Sequence, residues 1–133
     1  MNLTAGDIVA EHTFSLTRDA LVRYAGASGD FNAIHYRDDV ARSVGLPGVL
    51  AHGMLTMGIA VQPVVDWLGT QGVITEYGVR FTRPVLVDPP EGASVTVVAK
   101  VGVVDDTGVR IDLTVTFKDE TVLGKAQVRV VLF

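Results

Sequence analysis

The segment from His52 to Leu68 restricts the fold more than any other, because it has helical length and is apolar nearly all round. Helices of this kind are buried, so the rest of the chain has to cover this one on several sides. Pro63 lies inside the segment, and we therefore expect a kink or a break near Val61 and Gln62.

The second half of the chain has a different pattern, in which valine-rich runs alternate with turn signals. The chain contains 24 valines, and valine is a residue typical of strands. An earlier run, Glu11–Leu16, also has strand character. Four later runs predict strands, at Val73–Arg83, Val95–Val104, Val109–Lys118 and Thr121–Leu132.

Two shorter helices are predicted between the first strand and the long helix. Thr17 is a candidate N-cap of the first, which should end near Gly26. Asp38 is a candidate cap of the second, with Gly45 just past its end. The order predicts one α+β domain over residues 1–133, in which a curved antiparallel sheet of about five strands wraps the long helix.

Composition excludes several classes of protein. A chain that is 48% hydrophobic and 20% charged is not disordered, and without cysteine it has no disulfides or thiol chemistry. A net charge of −4 without a basic cluster argues against nucleic acid as a partner. Prolines and polar residues interrupt the apolar stretch Gly45–Leu68, which argues against a membrane span. The apolar surplus then requires an apolar interface, an apolar ligand pocket, or both.

Neither a targeting signal nor a cofactor motif is visible. The N-terminus has no basic or apolar signal region, so we expect a cytoplasmic protein. The histidines, His12, His35 and His52, share no short metal-binding spacing, and no metal is predicted. The pair Gly26 and Gly29 lacks the strand–turn–helix context of a dinucleotide fingerprint, so this motif does not predict a dinucleotide site.

The segment from Tyr24 to His35 is a candidate for acid–base chemistry. Asp30 and His35 are five residues apart, and a carboxylate with an imidazole can hold a water and shift its proton. The alternative is structural: Asp30 caps a turn, Asn32 supports a left-handed residue, and His35 is a hydrogen-bonded core histidine. Spacing alone favours the structural interpretation.

The segment from Ala51 to Gly58 opens the long helix and is a candidate binding site for a carbonyl oxygen. The first turn of a helix has free N–H groups and a partial positive charge. Gly53 would let a ligand approach this backbone, or it could simply allow tight packing, and both interpretations stay open. For Gly58 we favour tight packing against the sheet, and for His52 a cap or a core partner.

Together these two segments, Tyr-Ala-Gly-Ala-Ser-Gly-Asp-Phe-Asn-Ala-Ile-His and Ala-His-Gly-Met-Leu-Thr-Met-Gly, resemble the motif of MaoC-like, (R)-specific enoyl-thioester hydratases. These proteins have the hot-dog fold, a long helix wrapped by an antiparallel sheet. The run Val73–Pro84 resembles their central strand, and the similarity extends over nearly the whole chain. Within the family the chain is most similar to the catalytic B-type subunits of actinobacterial (3R)-hydroxyacyl-carrier-protein dehydratases.

The resemblance implies roles for particular residues. Asp30 and His35 match the catalytic pair, and Gly53 matches the backbone donor to the thioester carbonyl. Two positions depart from the family pattern, Ala33 where proline is common and Val61 where some homodimeric hydratases have a serine. Substrate contacts are expected from neighbouring positions, namely Asn32, Tyr36, His52 and Met54.

The implied function is reversible hydration of trans-2-enoyl thioesters to (3R)-3-hydroxyacyl thioesters in fatty acid elongation, a reaction for which no metal or organic cofactor is expected. The acyl group would be carried by acyl carrier protein (ACP) or by coenzyme A. The implied partner is a second hot-dog chain, in a homodimer or a heterodimer. Two alternatives remain: a hot-dog acyl thioesterase, and a non-catalytic acyl-binding or structural subunit of a hot-dog heterodimer.

Overall fold

The valine-rich runs form a single five-stranded antiparallel sheet in the computed structural model, which describes residues 1–133. Three α-helices and a short 3-10 helix, Ala33–His35, lie between the first strand and the other four. The elements are β1 (Ile8–Leu16), α1 (Arg18–Ser28), α2 (Asp38–Ser43), α3 (Gly53–Leu68), β2 (Gly72–Phe81), β3 (Ala93–Asp105), β4 (Gly108–Phe117) and β5 (Glu120–Leu132).

The strand order across the sheet is β1-β3-β4-β5-β2, so β1 and β2 form the two edges. Alternate residues of the inner strands face α3; in β4 these include Ile111 and Val115, both fully buried. They meet Ala60 and Val64 of α3, which are also fully buried, in a core cluster of 23 residues. The predicted hot-dog arrangement, a sheet wrapped around a central helix, is confirmed.

Two predictions about the short helices are wrong in detail. Helix α1 continues past Gly26 to Ser28 and ends at Gly29, whose left-handed φ of 78° suits glycine. Asp38 does not cap α2, because it is the first helical residue, and its carboxylate instead pairs with Arg18 at 2.9 Å. A partner on another helix has replaced the local cap, which sequence pattern does not reveal.

Helix α3 differs from expectation in two ways. It runs without a break through Pro63, because Pro63 and Val64 are buried and their contacts hold the second half of the helix in line. The helix is also not covered all round: Met54 is 60% exposed and Val65 is 41% exposed. One apolar face of α3 is therefore open to solvent in the single chain. None of the helices is long and apolar enough to cross a bilayer.

Candidate active site

The loop between α1 and α2 is held by its own short polar side chains. The N–H group of Asp30 donates to Ser28 Oγ at 3.1 Å, and the N–H group of Asn32 donates to Asp30 Oδ1 at 3.2 Å. Asn32 Oδ1 in turn accepts the N–H group of Ile34 at 3.2 Å. Aspartate and asparagine stabilise such turns because their side chains reach the backbone two residues ahead. The exposed Asp30 carboxylate is thereby fixed in place.

His35 lies at the end of this loop and is only 8% exposed. Its Nδ1 is 2.7 Å from the carbonyl oxygen of Leu50. A carbonyl can only accept a hydrogen bond, so Nδ1 carries the proton and, in the neutral ring, Nε2 has a free lone pair. The structure therefore presents His35 as a base at Nε2.

His52 joins the loop to the long helix. Its Nε2 lies 3.2 Å from the backbone carbonyl oxygen of Asp30, and its ring stacks on His35 with centroids 3.8 Å apart. The nearest side-chain ligand atoms of Asp30, His35 and His52 all lie within 4.8 Å of one another. Two regions 22 residues apart in sequence, those of Asp30 and His52, thus meet at one point.

These three side chains do not fit a common metal ion. The imidazole planes of His35 and His52 are inclined by only 20° and stacked 3.8 Å apart, so the in-plane lone pairs of the two rings lie in separate, nearly parallel planes. Two imidazoles bound to one zinc ion must instead converge on it at about 2.0–2.1 Å. One nitrogen of each ring is also within hydrogen-bond distance of a backbone carbonyl. The arrangement suits proton transfer better than metal binding.

The start of α3 offers unpaired N–H groups beside this cluster. The N–H group of Thr56 makes the first helical bond, to the carbonyl of His52 at 3.1 Å, and no side chain caps the helix. The N–H group of Gly53 is consequently free. A Cβ on Gly53 would lie 2.9 Å from the ring of Phe81, so the glycine keeps this approach open. At Gly58 nothing lies within 4 Å of an added Cβ, and the expected tight packing there is wrong.

A cavity of about 350 Å³ is lined by His35 and Gly53, but not by Asp30 or His52. Arg83 is the one permanently charged side chain in its wall; its guanidinium donates to the carbonyl of Thr121 at 3.1 Å and pairs with Glu120 at 3.4 Å. The sequence did not single out Phe81 or Leu50 as site residues. The lining residues are His35, Leu50, Ala51, Gly53, Thr56, Phe81, Thr82, Arg83, Pro84, Val85, Val122 and Leu123.

The four expected substrate-contact residues have different surroundings. Tyr36 is 43% exposed and Met54 is 60% exposed, so both are open to a ligand. The side chain of Asn32 is used by the loop itself. His52 is only 2% exposed and does not line the cavity. Burial lowers its pKa, so its ring is neutral near pH 7.

Comparison with known proteins identifies the family. Residues 2–120 match the model of the MaoC like domain. The chain is 38% identical over 77 residues to 3-hydroxyacyl-thioester dehydratase X of Mycobacterium tuberculosis, a match that covers 58% of this chain and 26% of that protein. The chain thus spans about a quarter of that relative's length.

Solved structures show the same fold. A MaoC-like dehydratase superposes with a TM-score of 0.89 at 33% identity, over 99% of this chain and 41% of the other. A chain of the ChsH1-ChsH2 complex of Mycobacterium tuberculosis superposes with a TM-score of 0.85 at 21% identity, over 98% of this chain and 98% of that chain. The family match covers most of the sequence, and this chain belongs to the MaoC-like dehydratases.

Proposed function

We propose that this domain adds water reversibly to a trans-2-enoyl thioester, giving a (3R)-3-hydroxyacyl thioester. The observation that carries the proposal is that His35 and the free N–H group of Gly53 line one cavity, while the Asp30 carboxylate lies within 4.8 Å of the His35 ring nitrogen. The name of the dehydratase relative, which acts on 3-hydroxyacyl thioesters, supports the same chemistry. Fatty acid elongation is the proposed setting, and a cytoplasmic location remains part of the proposal.

The first requirement of the reaction is to make C3 of the substrate electrophilic. The thioester carbonyl oxygen would accept the N–H group of Gly53 at the positive end of α3. Negative charge that builds on this oxygen as an enolate is stabilised there, and one such donor lowers the activation barrier by about 3 kcal/mol. No permanently charged group is needed at this point of the cavity.

The second requirement is a proton shuttle. His35 Nε2 would take a proton from the water as the water oxygen bonds to C3, and the Asp30 carboxylate would accept the other hydrogen and orient the molecule. The imidazolium would then return its proton to C2 of the enolate, so the site ends in its starting state. Dehydration follows the same path in reverse.

A second hot-dog chain is the proposed partner. The open apolar face of α3, which includes Met54 and Val65, and the unpaired edge strand β2 would both be covered by such a chain. The fold occurs in a two-protein complex, that of ChsH1 and ChsH2. Homodimer and heterodimer are separated by the mass of the purified chain, with activity measured on the same fraction.

The reaction is tested by adding crotonyl thioester and measuring its hydration as the loss of the enoyl absorbance. Asp30→Asn and His35→Ala should each remove nearly all turnover while thermal unfolding stays unchanged. His12→Ala, at an exposed histidine outside the site, is the matched control. Wild-type turnover in both site variants would overturn the assignment.

The same assay separates the alternatives. Release of free thiol without loss of the enoyl group would indicate a thioesterase. Binding of acyl thioester without turnover, in the chain combined with a hot-dog partner, would indicate a non-catalytic subunit. The cavity wall contains one permanently charged side chain, Arg83, which does not distinguish ACP from coenzyme A as the carrier. Turnover of substrates on the two carriers is therefore to be compared directly.

A further inference from the structure

His52 precedes α3 but does not use its side chain to cap it. Residues at this position commonly bond the free N–H groups of the first turn, whereas His52 makes no such bond. The first N–H groups of α3 remain available to a ligand. The His52 ring points instead toward the loop that contains Asp30.

The contact with the loop is a specific hydrogen bond. Nε2 of His52 lies 3.2 Å from the backbone carbonyl oxygen of Asp30, and because a carbonyl only accepts, Nε2 must carry the proton. No other hydrogen bond of that carbonyl is formed within the chain. The bond fixes the backbone of the very residue whose carboxylate is proposed to orient the water.

The ring of His52 also fills the space beneath His35. It stacks on His35 with ring centroids 3.8 Å apart and packs against Tyr24 in a T-shaped arrangement with ring centroids 4.7 Å apart. With 2% of its surface exposed, it cannot contact bulk solvent or a substrate in the cavity. His52 therefore contacts both proposed catalytic residues, Asp30 through a hydrogen bond to its backbone and His35 through ring stacking.

We propose that His52 is a positioning residue, which anchors the backbone of Asp30 through its Nε2–H group and thereby keeps the carboxylate within 4.8 Å of the His35 ring nitrogen. The reaction used to measure it rests on the proposed function, but the anchor itself does not. This role differs from the direct substrate contact expected from the sequence.

The neutral state of His52 is consistent with this role. The titratable groups that face it are Asp30, His35 and Tyr24, and its Nδ1 is buried without a partner. A second proton would place an unsolvated charge next to His35. Burial lowers the pKa of His52, so the anchor stays intact and uncharged through the neutral range.

Two substitutions separate the hydrogen bond from the packing. In His52→Gln the amide nitrogen occupies the place of Nε2 and can still donate to Asp30, whereas His52→Phe keeps a ring but has no donor. The glutamine variant should retain most of kcat. The phenylalanine variant should lose about 100-fold in kcat with an unchanged KM, because misplacing a catalytic group by about 1 Å has an effect of this size. His12→Gln, at the exposed ring that contacts Phe14, is the control.

Amide hydrogen exchange measures how firmly the His52–Asp30 hydrogen bond holds the loop, and it does not depend on catalytic activity. Amide exchange at Asn32, Ile34 and His35 should speed up by about tenfold in His52→Phe but not in His52→Gln, while the strands β3 to β5 stay protected. If the phenylalanine variant does not fold, His52→Met supplies a second side chain without a donor. Equal exchange and equal kcat in the glutamine and phenylalanine variants would overturn the proposal. An inactive wild type with the expected exchange pattern would overturn only the proposed function.

Discussion

Replacing Gly53 with alanine tests whether the start of α3 receives the thioester carbonyl. A Cβ there would lie 2.9 Å from Cε1 and 3.1 Å from Cδ1 of Phe81. Carbon atoms pack best at about 3.5–4.0 Å, so the ring has to move by at least about 0.5 Å. Phe81 is 56% exposed, and it can turn without disturbing the core.

The expected loss of stability is small and the expected loss of activity is large. Overpacking costs about 1–3 kcal/mol, and an exposed ring favours the lower end, which lowers Tm by about 4 °C. The added methyl group and the displaced ring would occupy the place where the carbonyl oxygen meets the Gly53 N–H group. Losing one such interaction lowers kcat about 100-fold, or about 3 kcal/mol.

The assay is hydration of crotonyl thioester, measured beside thermal unfolding. Gly26→Ala is the matched control, because it makes the same change inside α1 at a position with no atom within 4 Å of the added Cβ. The double variant Gly53→Ala with Phe81→Leu should regain stability, since the ring is gone, but stay slow. Normal kcat/KM in Gly53→Ala would refute the role of the helix start.

Two further predictions concern stability. Tyr77 donates its hydroxyl to the carbonyl of Met57 at 2.6 Å, so Tyr77→Phe should lower the free energy of unfolding in urea by about 1 kcal/mol; an unchanged value would contradict this. Burial raises the pKa of Tyr77 to about 12, above the unfolded value of about 10, so its contribution is complete below pH 10 and is lost between pH 10 and 12. Gly92→Ala should leave little folded protein in circular dichroism, because φ is 79° and the Cβ would strike the backbone carbonyl of Leu16; a native Tm would show that this turn can relax.

The elements that follow from local pattern could be predicted from the sequence. The long helix was expected at His52–Leu68 and is found at Gly53–Leu68, because an apolar run of helical length buries at least one face in the core. The last strand was expected at Thr121–Leu132 and is found at Glu120–Leu132. Alternation and turn residues fix such boundaries without knowledge of the tertiary structure.

The site depends on contacts between distant segments, and these could be predicted only in part. Resemblance singled out Asp30, His35 and Gly53, but not the bond from His52 to the Asp30 carbonyl. Phe81, at the end of β2, reaches the cavity because the sheet curves around α3, which no local pattern encodes. Long-range pairing therefore explains what the sequence interpretation missed.

The apolar surplus of the chain connects the proposed partner to the proposed reaction. Ala60 and Val64, on the sheet-facing side of α3, belong to the buried core cluster. Exposed apolar surface begins instead at Met54, one residue after Gly53, and includes Phe81 beside the cavity. A partner chain that covers this surface would also narrow access to the cavity and shield the enolate from bulk water, leaving room for the reacting water molecule. Turnover should therefore rise with the fraction of paired chains.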